Sequence, residues 1–371
     1  MTSRAADTSL AARTAKGTPL PQDLSHTENH AIKMRIAVIG AGVSSAPHFQ
    51  SLQDLSAELE LACVVARSTE RLAALSLPAS TQRSTRLEDV LNDPTIQAAL
   101  VLTPPNTHLD IVQRLAQAGK HVLVEKPLEI NLEKAQHLVD VCDDCGVKLA
   151  VMLQHRMREA ARALAQMIAS GTLGTLVSAS ASVRWWRPQS YYDQPGRGTL
   201  ARDGGGVLMT QAIHTLDLLL SLTGLPDQVS AMASTSAMHR METEDTVAAV
   251  LHFPNGAIGS MEATTAAYPG FPEYIALNFT GGSATLESGE LRVELLDGSK
   301  LEVGQKETSG SGANIMAFDH QPHRAVLQDF VAAIRSNTEP AVSGRSALQV
   351  HRLIAAMMES AGSGAPVALK V

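Results

Sequence analysis

The sequence has 371 residues, of which 44% are hydrophobic and 18% are charged, and its formal net charge is −7. This length and composition are typical of a globular protein of two domains, and an acidic balance without a basic block argues against nucleic acid and anionic membranes as partners. No segment approaches the roughly 18–20 uninterrupted apolar residues of a membrane-spanning helix, so no membrane partner is predicted.

The first 33 residues precede every predicted strand and helix. They are polar, poor in aromatic residues, and lack the apolar middle region of a secretory signal, which predicts a disordered leader over residues 1–33. Three cysteines, an odd and low number, favour a reducing compartment and a cytoplasmic protein. Cys142 and Cys145 form a C-x-x-C pair without a second ligand pair for zinc, so ordinary residues at a helix end are expected, with a redox pair as the alternative.

Residues 34–154 alternate between strand-like and helix-like patterns. The predicted strands are apolar runs at 35–39, 61–65, 96–103, 121–125 and 148–152, with helical patterns between them, for example at 106–118 and 131–145. Continuous apolar strands are expected where both sheet faces are covered, and alternation with helices predicts a doubly wound parallel sheet. We therefore predict an α/β protein with a Rossmann dinucleotide-binding domain over residues 34–154.

The pattern changes after about residue 155. Helices are predicted at 157–170 and 207–222, and alternating runs separated by turn residues predict strands at 175–186, 229–238, 246–253, 257–265, 274–280, 283–287 and 291–296. Apolar helices at 321–336 and 345–360 are expected to pack back on the first domain. The prediction for residues 155–371 is a substrate and oligomerisation domain of α+β type with a large, mainly antiparallel open sheet.

A glycine-rich turn follows the first strand and precedes a helix. Gly40 and Gly42 allow the backbone to approach a pyrophosphate at the helix N-terminus, and Val43, Ser44 and Ser45 complete the predicted cofactor loop. Ser45 occupies the position of the third glycine, so the motif is incomplete. A simple tight turn is the alternative interpretation.

The end of the second strand carries the signal for cofactor preference. Ala66 lies where an acidic residue would bind the ribose of NAD, and Arg67 and Ser68 follow it. An arginine and a hydroxyl group bind a 2′-phosphate through charge-assisted hydrogen bonds, which favours NADP over NAD. The alternative is that Arg67 stacks on adenine or faces solvent.

The segment "TPPNTHLD" follows the third predicted strand, at the sheet edge where ligands bind in such folds. Thr103, Pro104, Asn106 and His108 are therefore candidates for contact with the cofactor. For Asn106 the alternative is capping of the next helix, and for His108 it is packing within that helix.

The segment "EKP" ends the fourth predicted strand at the same edge. Lys126 is placed there where nicotinamide and substrate should meet, Glu125 is expected to hold it, and Pro127 ends the strand. A lysine with a pKa lowered by burial polarises a substrate oxygen or relays a proton. Helix capping or a surface ion pair is the alternative.

The segment "DGGGVLMTQAIHTLDLL" combines a triple glycine with a helix that carries polar residues. Thr210 and His214 are four residues apart and so share a helix face, with Gln211 beside them and Asp217 nearly one turn beyond His214. His214 is the candidate general acid or base, and a buried core histidine is the alternative. His214 and Asp217 lack a third ligand at useful spacing, so no metal site is predicted.

Four segments resemble the Gfo/Idh/MocA oxidoreductases, which are named for glucose–fructose oxidoreductase and inositol dehydrogenase. These are "GAGVSS", "TPPNTH", "GKHVLVEKP" and "GGGVLMTQAIHTLDLL", in this order and spacing, and the likeness extends from about residue 34 to the end. It implies a Rossmann domain, an open antiparallel sheet that serves as the interface of a homodimer or homotetramer, and sugars, nucleotide sugars, cyclitols or dihydrodiols as substrates. It also implies that Lys126 and His214 are active-site residues.

Thr210 departs from the pattern of that family, in which many members have aspartate and others asparagine at this position. A threonine hydroxyl binds a substrate but cannot act as a carboxylate base, which moves the proton transfer to His214 and Lys126. The form "QAIHTLDLL" is similar to that of members acting on nucleotide-linked amino sugars or uronates, and also occurs among dihydrodiol dehydrogenases.

Further polar and aromatic residues are candidates for the substrate cleft. Arg156 could bind a carboxylate or phosphate, and "RWWRPQSYYDQPGRG" at 184–198 is an aromatic cluster in a chain with 3% aromatic residues. The full candidate set is Arg156, Trp185, Tyr191, Tyr192, Gln211 and Asp217. A buried linker or a subunit contact is the alternative for the aromatic cluster.

The sequence thus predicts an NADP- or NAD-dependent dehydrogenase or reductase that acts on a secondary alcohol or ketone of a sugar-like or cyclic diol substrate, with Lys126, His214 and Thr210 as catalytic residues. One alternative is a protein that keeps NAD tightly bound and performs redox-assisted glycoside cleavage or internal oxidoreduction. Another is a non-catalytic regulator that senses nucleotides.

Overall fold

The computed structural model of the chain describes residues 33–42, 45–306, 311–312 and 319–369. The predicted leader lies outside the described residues apart from Lys33, and so do Val43 and Ser44 of the glycine turn.

The first sheet has six parallel strands in the order β3-β2-β1-β4-β5-β6. Its strands are β1 (Met34–Ile39), β2 (Leu59–Val65), β3 (Gln82–Ser84), β4 (Ala98–Val101), β5 (His121–Val124) and β6 (Leu149–Val151). The accompanying helices are α1 (Ala46–Asp54), α2 (Thr69–Ala74), α3 (Glu88–Leu91), α4 (His108–Gln117), α5 (Leu132–Asp144) and α6 (Glu159–Ala169). The predicted doubly wound Rossmann sheet is confirmed, and β3 is an edge strand that the sequence patterns did not indicate.

The second sheet has nine strands in the order β14-β13-β12-β11-β7-β10-β9-β8-β15. They are β7 (Leu176–Arg184), β8 (Gln228–Ser234), β9 (Thr246–His252), β10 (Ile258–Thr264), β11 (Tyr274–Phe279), β12 (Gly282–Glu287), β13 (Glu290–Leu295), β14 (Lys300–Val303) and β15 (Val367–Ala368). Neighbouring strands pair antiparallel except β7 and β10, which run parallel in the middle of the sheet. The prediction of a large, mainly antiparallel sheet is confirmed.

The remaining helices are α7 (Gln189–Tyr192), α8 (Leu200–Asp203), α9 (Ile213–Thr223), α10 (Gln321–Ser336) and α11 (Gly344–Ser363). A π-helical turn, Leu208–Ala212, leads directly into α9. The α9 helix packs against β7, β11 and α11, while α11 also lies against α5 and β8. Helices therefore link the two sheets.

The helix α10 covers one face of the first sheet. Its Leu327 and Phe330 are buried together with Ile36 of β1 and Leu100 of β4, and the helix lies beside α1. A parallel sheet requires cover on both faces, and here part of that cover comes from late in the chain. The boundary between residues 154 and 155 consequently remains a prediction.

One helical stretch among the described residues, Leu200–Thr223, is long and apolar enough to cross a membrane by length and composition. Of the 18 consecutive residues in this stretch that are apolar enough, 89% are buried inside the protein. Leu216 and Leu219 of α9, for instance, are fully buried in the core between the sheets. This burial accounts for the apolar composition as that of a core helix.

The three cysteines are free thiols. Cys142 is buried at the end of α5, and burial raises its pKa to about 12, whereas Cys145 is exposed. A thiol with so high a pKa has little thiolate at neutral pH and is a poor redox nucleophile. Of the two interpretations of the C-x-x-C pair, the structure favours ordinary residues at a helix end.

Candidate active site

The end of β5 meets the start of the α9 segment through one hydrogen bond. Lys126 lies two residues after the end of β5. Its Nζ donates to the backbone carbonyl oxygen of Thr210 at 2.8 Å. Thr210 lies in the π-helical turn before α9, and such wide turns are frequent at functional sites. The bond brings together the two segments that carry the predicted catalytic residues. Their catalytic roles stay a prediction.

The triple glycine allows the helix to start against the loop before β9. At Gly206 a methyl group would overlap the carbonyl oxygen of Glu244, so no larger residue fits there without movement. The Glu244 carboxylate accepts hydrogen bonds from the N–H groups of Gly206 at 2.9 Å and Leu208 at 3.2 Å. Glu244 thus binds backbone donors that the start of a helix leaves without partners. No motif in the sequence indicated Glu244.

The electrostatic surroundings of Lys126 weaken its hold on a proton. Burial lowers its pKa from 10.5 to about 8; the charge of Glu125 opposes this change, whereas Arg197 and Arg187 add to it. At neutral pH the side chain is an ammonium group, but one whose proton is held less strongly than that of an exposed lysine. Such a group donates a hydrogen bond to a substrate oxygen and exchanges protons near pH 8.

Glu125 is held by a histidine that the sequence patterns did not single out. The atoms His48 Nε2 and Glu125 Oε1 are 2.6 Å apart, and Glu125 Oε2 accepts from the backbone N–H of Lys126 at 3.1 Å. Burial alone would raise the pKa of Glu125, but the hydrogen bond and charge of His48, with the charges of His323 and Lys126, lower it to about 2. Glu125 is therefore a carboxylate beside Lys126.

The side chains of His48, Glu125 and His323 form a buried cluster. Their ligand atoms lie within 4.8 Å of one another, a spacing that a metal ion accepts. However, the bond between His48 and Glu125 already pairs two of the three groups directly. We assign the cluster to the positioning of Glu125.

His214 lies against a second histidine. The rings of His155 and His214 are stacked with centroids 4.9 Å apart, and His214 Nδ1 has no hydrogen-bond partner within the described residues. Burial, followed by the charge of Lys126, lowers the pKa of His214 well below 6.5. His214 is therefore neutral at physiological pH, so it accepts a proton rather than starting as an acid. This differs from the near-neutral pKa that the sequence suggested.

The hydroxyl group of Thr210 is engaged within its own helix. Its Oγ1 lies 2.6 Å from the carbonyl oxygen of Gly206 and also contacts Oε1 of Gln211. The hydroxyl has a single proton and donates to only one of these acceptors at a time. Orientation of a substrate by Thr210 would require that bond to be exchanged, and this role stays a prediction.

Two predicted substrate residues bind each other. Asp217 is fully buried, and Arg156 Nε donates to its Oδ2 at 2.6 Å. The guanidinium group also donates to Ser346 Oγ in α11 at 3.3 Å. Both side chains thus have partners within the protein, where they link α9 to α11. Their contact with a substrate remains a prediction.

The aromatic segment after β7 folds into one cluster with two arginines. The guanidinium group of Arg187 lies 5.1 Å from the ring centre of Trp185. The guanidinium group of Arg197 lies 5.0 Å from the ring centre of Tyr191. The Tyr191 and Tyr192 rings meet edge to face at 5.0 Å. Sequence reasoning identified the aromatic residues but not the arginines, although both occur in the same segment.

Two of these side chains already have hydrogen-bond contacts. The Tyr192 hydroxyl bonds Thr265 Oγ1 at 2.7 Å and is buried, whereas the Tyr191 hydroxyl lies 3.5 Å from Gln211 Nε2. Tyr191 therefore connects the aromatic cluster to the helix that carries Thr210 and His214. Substrate binding by Trp185, Tyr191, Tyr192 and Gln211 remains a prediction.

The described residues of the glycine turn, Gly40, Ala41, Gly42 and Ser45, leave room for a dinucleotide. At Gly40, φ is +104°, and a Cβ atom would lie 2.9 Å from the carbonyl carbon of Leu102, so glycine is needed there for the protein's own packing. At Gly42 a Cβ atom would meet nothing within 4 Å, so open space faces the turn. Ser45 closes the turn because its N–H and hydroxyl both donate to the Gly42 carbonyl oxygen, at 3.1 and 2.7 Å. The residues present fit a bound pyrophosphate.

The residues after β2 and β4 have different partners. Arg67 is exposed and makes no hydrogen bond or ion pair within the described part of the chain, while Ser68 Oγ accepts from Arg71 N–H at the start of α2. Asn106 is exposed, and the capping position of α4 is Thr107, so Asn106 does not cap that helix. Arg67 is thus available to a ligand, whereas the Ser68 hydroxyl already serves α2.

A buried histidine forms hydrogen bonds that connect the loop after β4 to the segment after β5. His108 Nε2 lies 2.8 Å from the Thr103 carbonyl oxygen, and its Nδ1 lies 3.0 Å from the Pro127 carbonyl oxygen. Thr103 Oγ1 accepts from Thr107, and Pro104 precedes a short 3₁₀ turn. His108 therefore holds the loop and the Lys126 segment together. Cofactor contacts of Thr103, Pro104, Asn106 and His108 remain predictions.

Both halves of the chain match known families. Residues 34–153 match the oxidoreductase family with an NAD-binding Rossmann fold, and residues 161–285 match the GFO/IDH/MocA C-terminal domain. An uncharacterized oxidoreductase of Schizosaccharomyces pombe is 31% identical over 60% of this chain and 61% of its own length. The scyllo-inositol 2-dehydrogenase (NADP(+)) of Bacillus subtilis is 27% identical over 58% of this chain and 57% of its own length. The chain therefore spans about three fifths of these curated relatives.

The fold also agrees with a solved structure. The WlbA dehydrogenase from Bordetella pertussis, in complex with NADH and UDP-GlcNAcA, superposes with a TM-score of 0.78 and 29% identity, covering 91% of this chain and 99% of that one. The superposition covers both parts of the chain, and both family matches agree with it. This chain belongs to the GFO/IDH/MocA family of oxidoreductases.

Proposed function

We propose that this protein is an NAD(P)-dependent dehydrogenase or reductase acting on a secondary alcohol or ketone carbon of a sugar, nucleotide sugar, cyclitol or related cyclic diol. The observation that carries the proposal is the meeting of Lys126, with its pKa lowered to about 8, and a helix bearing neutral His214 beside the end of β5. An ammonium donor and a neutral base are the two groups that oxidation of an alcohol requires.

Each residue has a distinct part in the proposed reaction. Nicotinamide, when bound, supplies the carbon that accepts or donates the hydride. Neutral His214 takes the proton of the substrate hydroxyl. The Lys126 ammonium group donates a hydrogen bond to the same oxygen and stabilises its developing negative charge. Glu125, held by His48, accepts from the backbone N–H of Lys126, and its negative charge favours the ammonium form of the lysine side chain. In reduction the proton moves in the opposite direction.

A substrate panel tests this proposal. The purified protein is mixed with NAD or NADP and with sugars, cyclitols, nucleotide sugars and cyclic diols, and formation of the reduced nicotinamide is followed by its absorbance. We expect at least one of these classes to be oxidised with one nicotinamide consumed per product formed. Turnover that leaves a bound nicotinamide unchanged would instead favour redox-assisted glycoside cleavage or internal oxidoreduction. Absence of either activity across the panel would contradict the proposal.

The favoured cofactor is NADP, with NAD as the alternative. Arg67 is exposed after β2 without an acidic residue before it, which supports binding of a 2′-phosphate. We expect Arg67→Ala to weaken NADP binding about 10-fold and NAD binding much less, because only NADP carries the charge that the guanidinium binds. Titration by nicotinamide fluorescence measures both affinities.

Arg162→Ala is the matched control, since it removes an exposed arginine from α6 instead. It should leave both affinities unchanged. Tighter binding of NAD than NADP by the unmodified protein, insensitive to Arg67→Ala, would overturn the cofactor preference.

A homodimer or homotetramer through the second sheet is part of the proposal. The described helices α6, α9 and α11 pack against this sheet, while the outward residues of its central strands include the small residues Ser180 of β7, Ala248 of β9 and Ala276 of β11, and also Glu262 of β10. Val250 and Met232 on the same outward side are exposed. A sheet face with small and exposed apolar residues suits a second copy of this chain. We also propose a cytoplasmic location, supported by three free thiols.

A further inference from the structure

Arg197 is a cation whose ion-pair partner among the described residues is Asp203 alone. Its guanidinium lies over the Tyr191 ring, and its side chain remains 30% exposed. The nearest carboxylate, that of Asp203, is 3.9 Å away, and Arg197 Nε has no hydrogen-bond partner within the described residues. A partly exposed guanidinium group on an aromatic face, with its carboxylate partner at the outer limit of an ion pair, can also bind an anion that the chain itself does not provide.

Asp203 does not neutralise Arg197 alone. One of its oxygens accepts the backbone N–H of Gly198 at 2.9 Å, and the other is also 3.9 Å from Arg202 Nε. One carboxylate is therefore shared between a backbone group and two arginines. Among these three side chains, the two arginines outnumber the one carboxylate.

Arg197 belongs to the surroundings of Lys126. The Tyr191 hydroxyl, under Arg197, lies 3.5 Å from Gln211 Nε2, and Gln211 adjoins Thr210, whose carbonyl oxygen accepts from Lys126. The charges of Arg197 and Arg187 both act on Lys126, where they favour loss of its proton, while those of Glu125 and Asp203 oppose this. Several cations thus surround one site, and the nearby Glu125 is bonded to His48. A neutral sugar would leave this repulsion in place, whereas an anionic one would relieve it.

We propose that Arg197, supported by Tyr191, binds an anionic group of the substrate, a carboxylate or a phosphate. The inference rests on the proposed dehydrogenase function, because it names the class of substrate that the same site takes: an acidic or phosphorylated sugar rather than a neutral one. A planar guanidinium group binds a carboxylate and a phosphate alike, through paired hydrogen bonds. Because the geometry does not distinguish the two anions, each is tested with its own probe.

Binding to the nicotinamide-saturated protein tests the inference by calorimetry. The probes are matched pairs: D-glucuronate with D-glucose, UDP-glucuronate with UDP-glucose, and D-glucose 6-phosphate with D-glucose. At least one acid is expected to bind about 10- to 100-fold more tightly than its partner, the range of a hydrogen bond between charged groups. The first two pairs report a carboxylate, and the third reports a phosphate.

Arg197→Gln should remove that preference and leave binding of the less charged partner within about threefold. Arg197→Lys should restore part of it, because the charge returns without the paired geometry. Arg240→Gln is the control, since Arg240 is exposed nearby and its side chain forms no ion pair within the described residues. It should retain the full preference.

Two results would overturn the inference: no acid binds more tightly than its partner, or Arg197→Gln weakens both members of a pair equally. Turnover is measured separately on the same panel. Tight binding of an acid without any turnover would contradict the proposed function and leave the anion site standing. Turnover of neutral sugars alone would support the proposed function and contradict the anion site.

Discussion

Replacing Lys126 with methionine is expected to lower kcat for alcohol oxidation about 10²- to 10³-fold, the loss that follows removal of one donor to a developing oxyanion. Methionine keeps the length and apolar stem of the side chain but removes the ammonium group that donates to Thr210 and, in the proposed reaction, to the substrate oxygen. The rate of nicotinamide reduction measures the effect. Nicotinamide affinity, determined by fluorescence titration, should change little, which separates a chemical role from a defect in folding. Full activity of Lys126→Met would overturn the mechanism.

The lysine also predicts a pH dependence. Its folded-state pKa is about 8, below the ordinary 10.5, because burial penalises the charged form. The ammonium group is therefore present below pH 8 and is lost above it, so kcat/KM for oxidation should fall as pH rises through about 8. This decline should be absent from the residual activity of Lys126→Met. The same shift disfavours the folded state at low pH, and this penalty is relieved as pH rises from about 8 towards 10.5.

Replacing His214 with asparagine is expected to lower kcat/KM about 10²- to 10⁴-fold, the usual contribution of a positioned general base. Asparagine keeps a polar side chain on α9 but cannot take the proton of the substrate hydroxyl. Because burial and Lys126 hold the pKa of His214 well below 6.5, the unmodified enzyme should show no loss of activity from this group between about pH 6.5 and 8. Steady-state kinetics across that range measure both effects.

His252→Asn is the matched control for His214→Asn. His252 is an exposed histidine on β9 that pairs with Asp227, distant in sequence from the glycine helix. Its replacement should leave kcat/KM unchanged. If the two variants behaved alike, His214 would be a core histidine and not the base.

Strong periodicity made the long elements predictable. The pattern at 321–336 predicted the helix observed at Gln321–Ser336, and the apolar runs of β1, β2, β4, β5 and β6 were all expected. The strands β3, β14 and β15 were missed because they have two to four residues and lie at or near sheet edges, where few side chains are buried. Alternation of buried and exposed residues is recognisable in a sequence only over several residues.

The candidate site was only partly predictable, because its contacts join residues far apart in the chain. Lys126 and Thr210 are 84 residues apart, and His48 and Glu125 are 77 apart. Lys126 and His214 occur in recognisable segments, so the sequence identified them. Glu244, His48 and His155 lie in segments without a motif and are recognised only from their contacts with Gly206, Glu125 and His214.

The contact between Lys126 and Thr210 does not depend on the threonine side chain. Lys126 binds the backbone carbonyl oxygen of this residue, and any residue type supplies that acceptor. The choice of threonine therefore leaves the lysine contact intact, and orientation of a substrate by its hydroxyl group stays a prediction. Local periodicity did not reveal the π-helical turn that presents this carbonyl.

The placement of α10 sets the order in which the protein matures on the ribosome. Leu327 and Phe330 complete the face of a sheet whose strands lie between residues 34 and 151. While the chain is being synthesised, part of that face has no cover until almost 180 further residues have emerged. The nucleotide-binding half therefore cannot reach its final packed state as an independent nascent unit. Its completion is coupled to synthesis of the half that is proposed to bind the substrate.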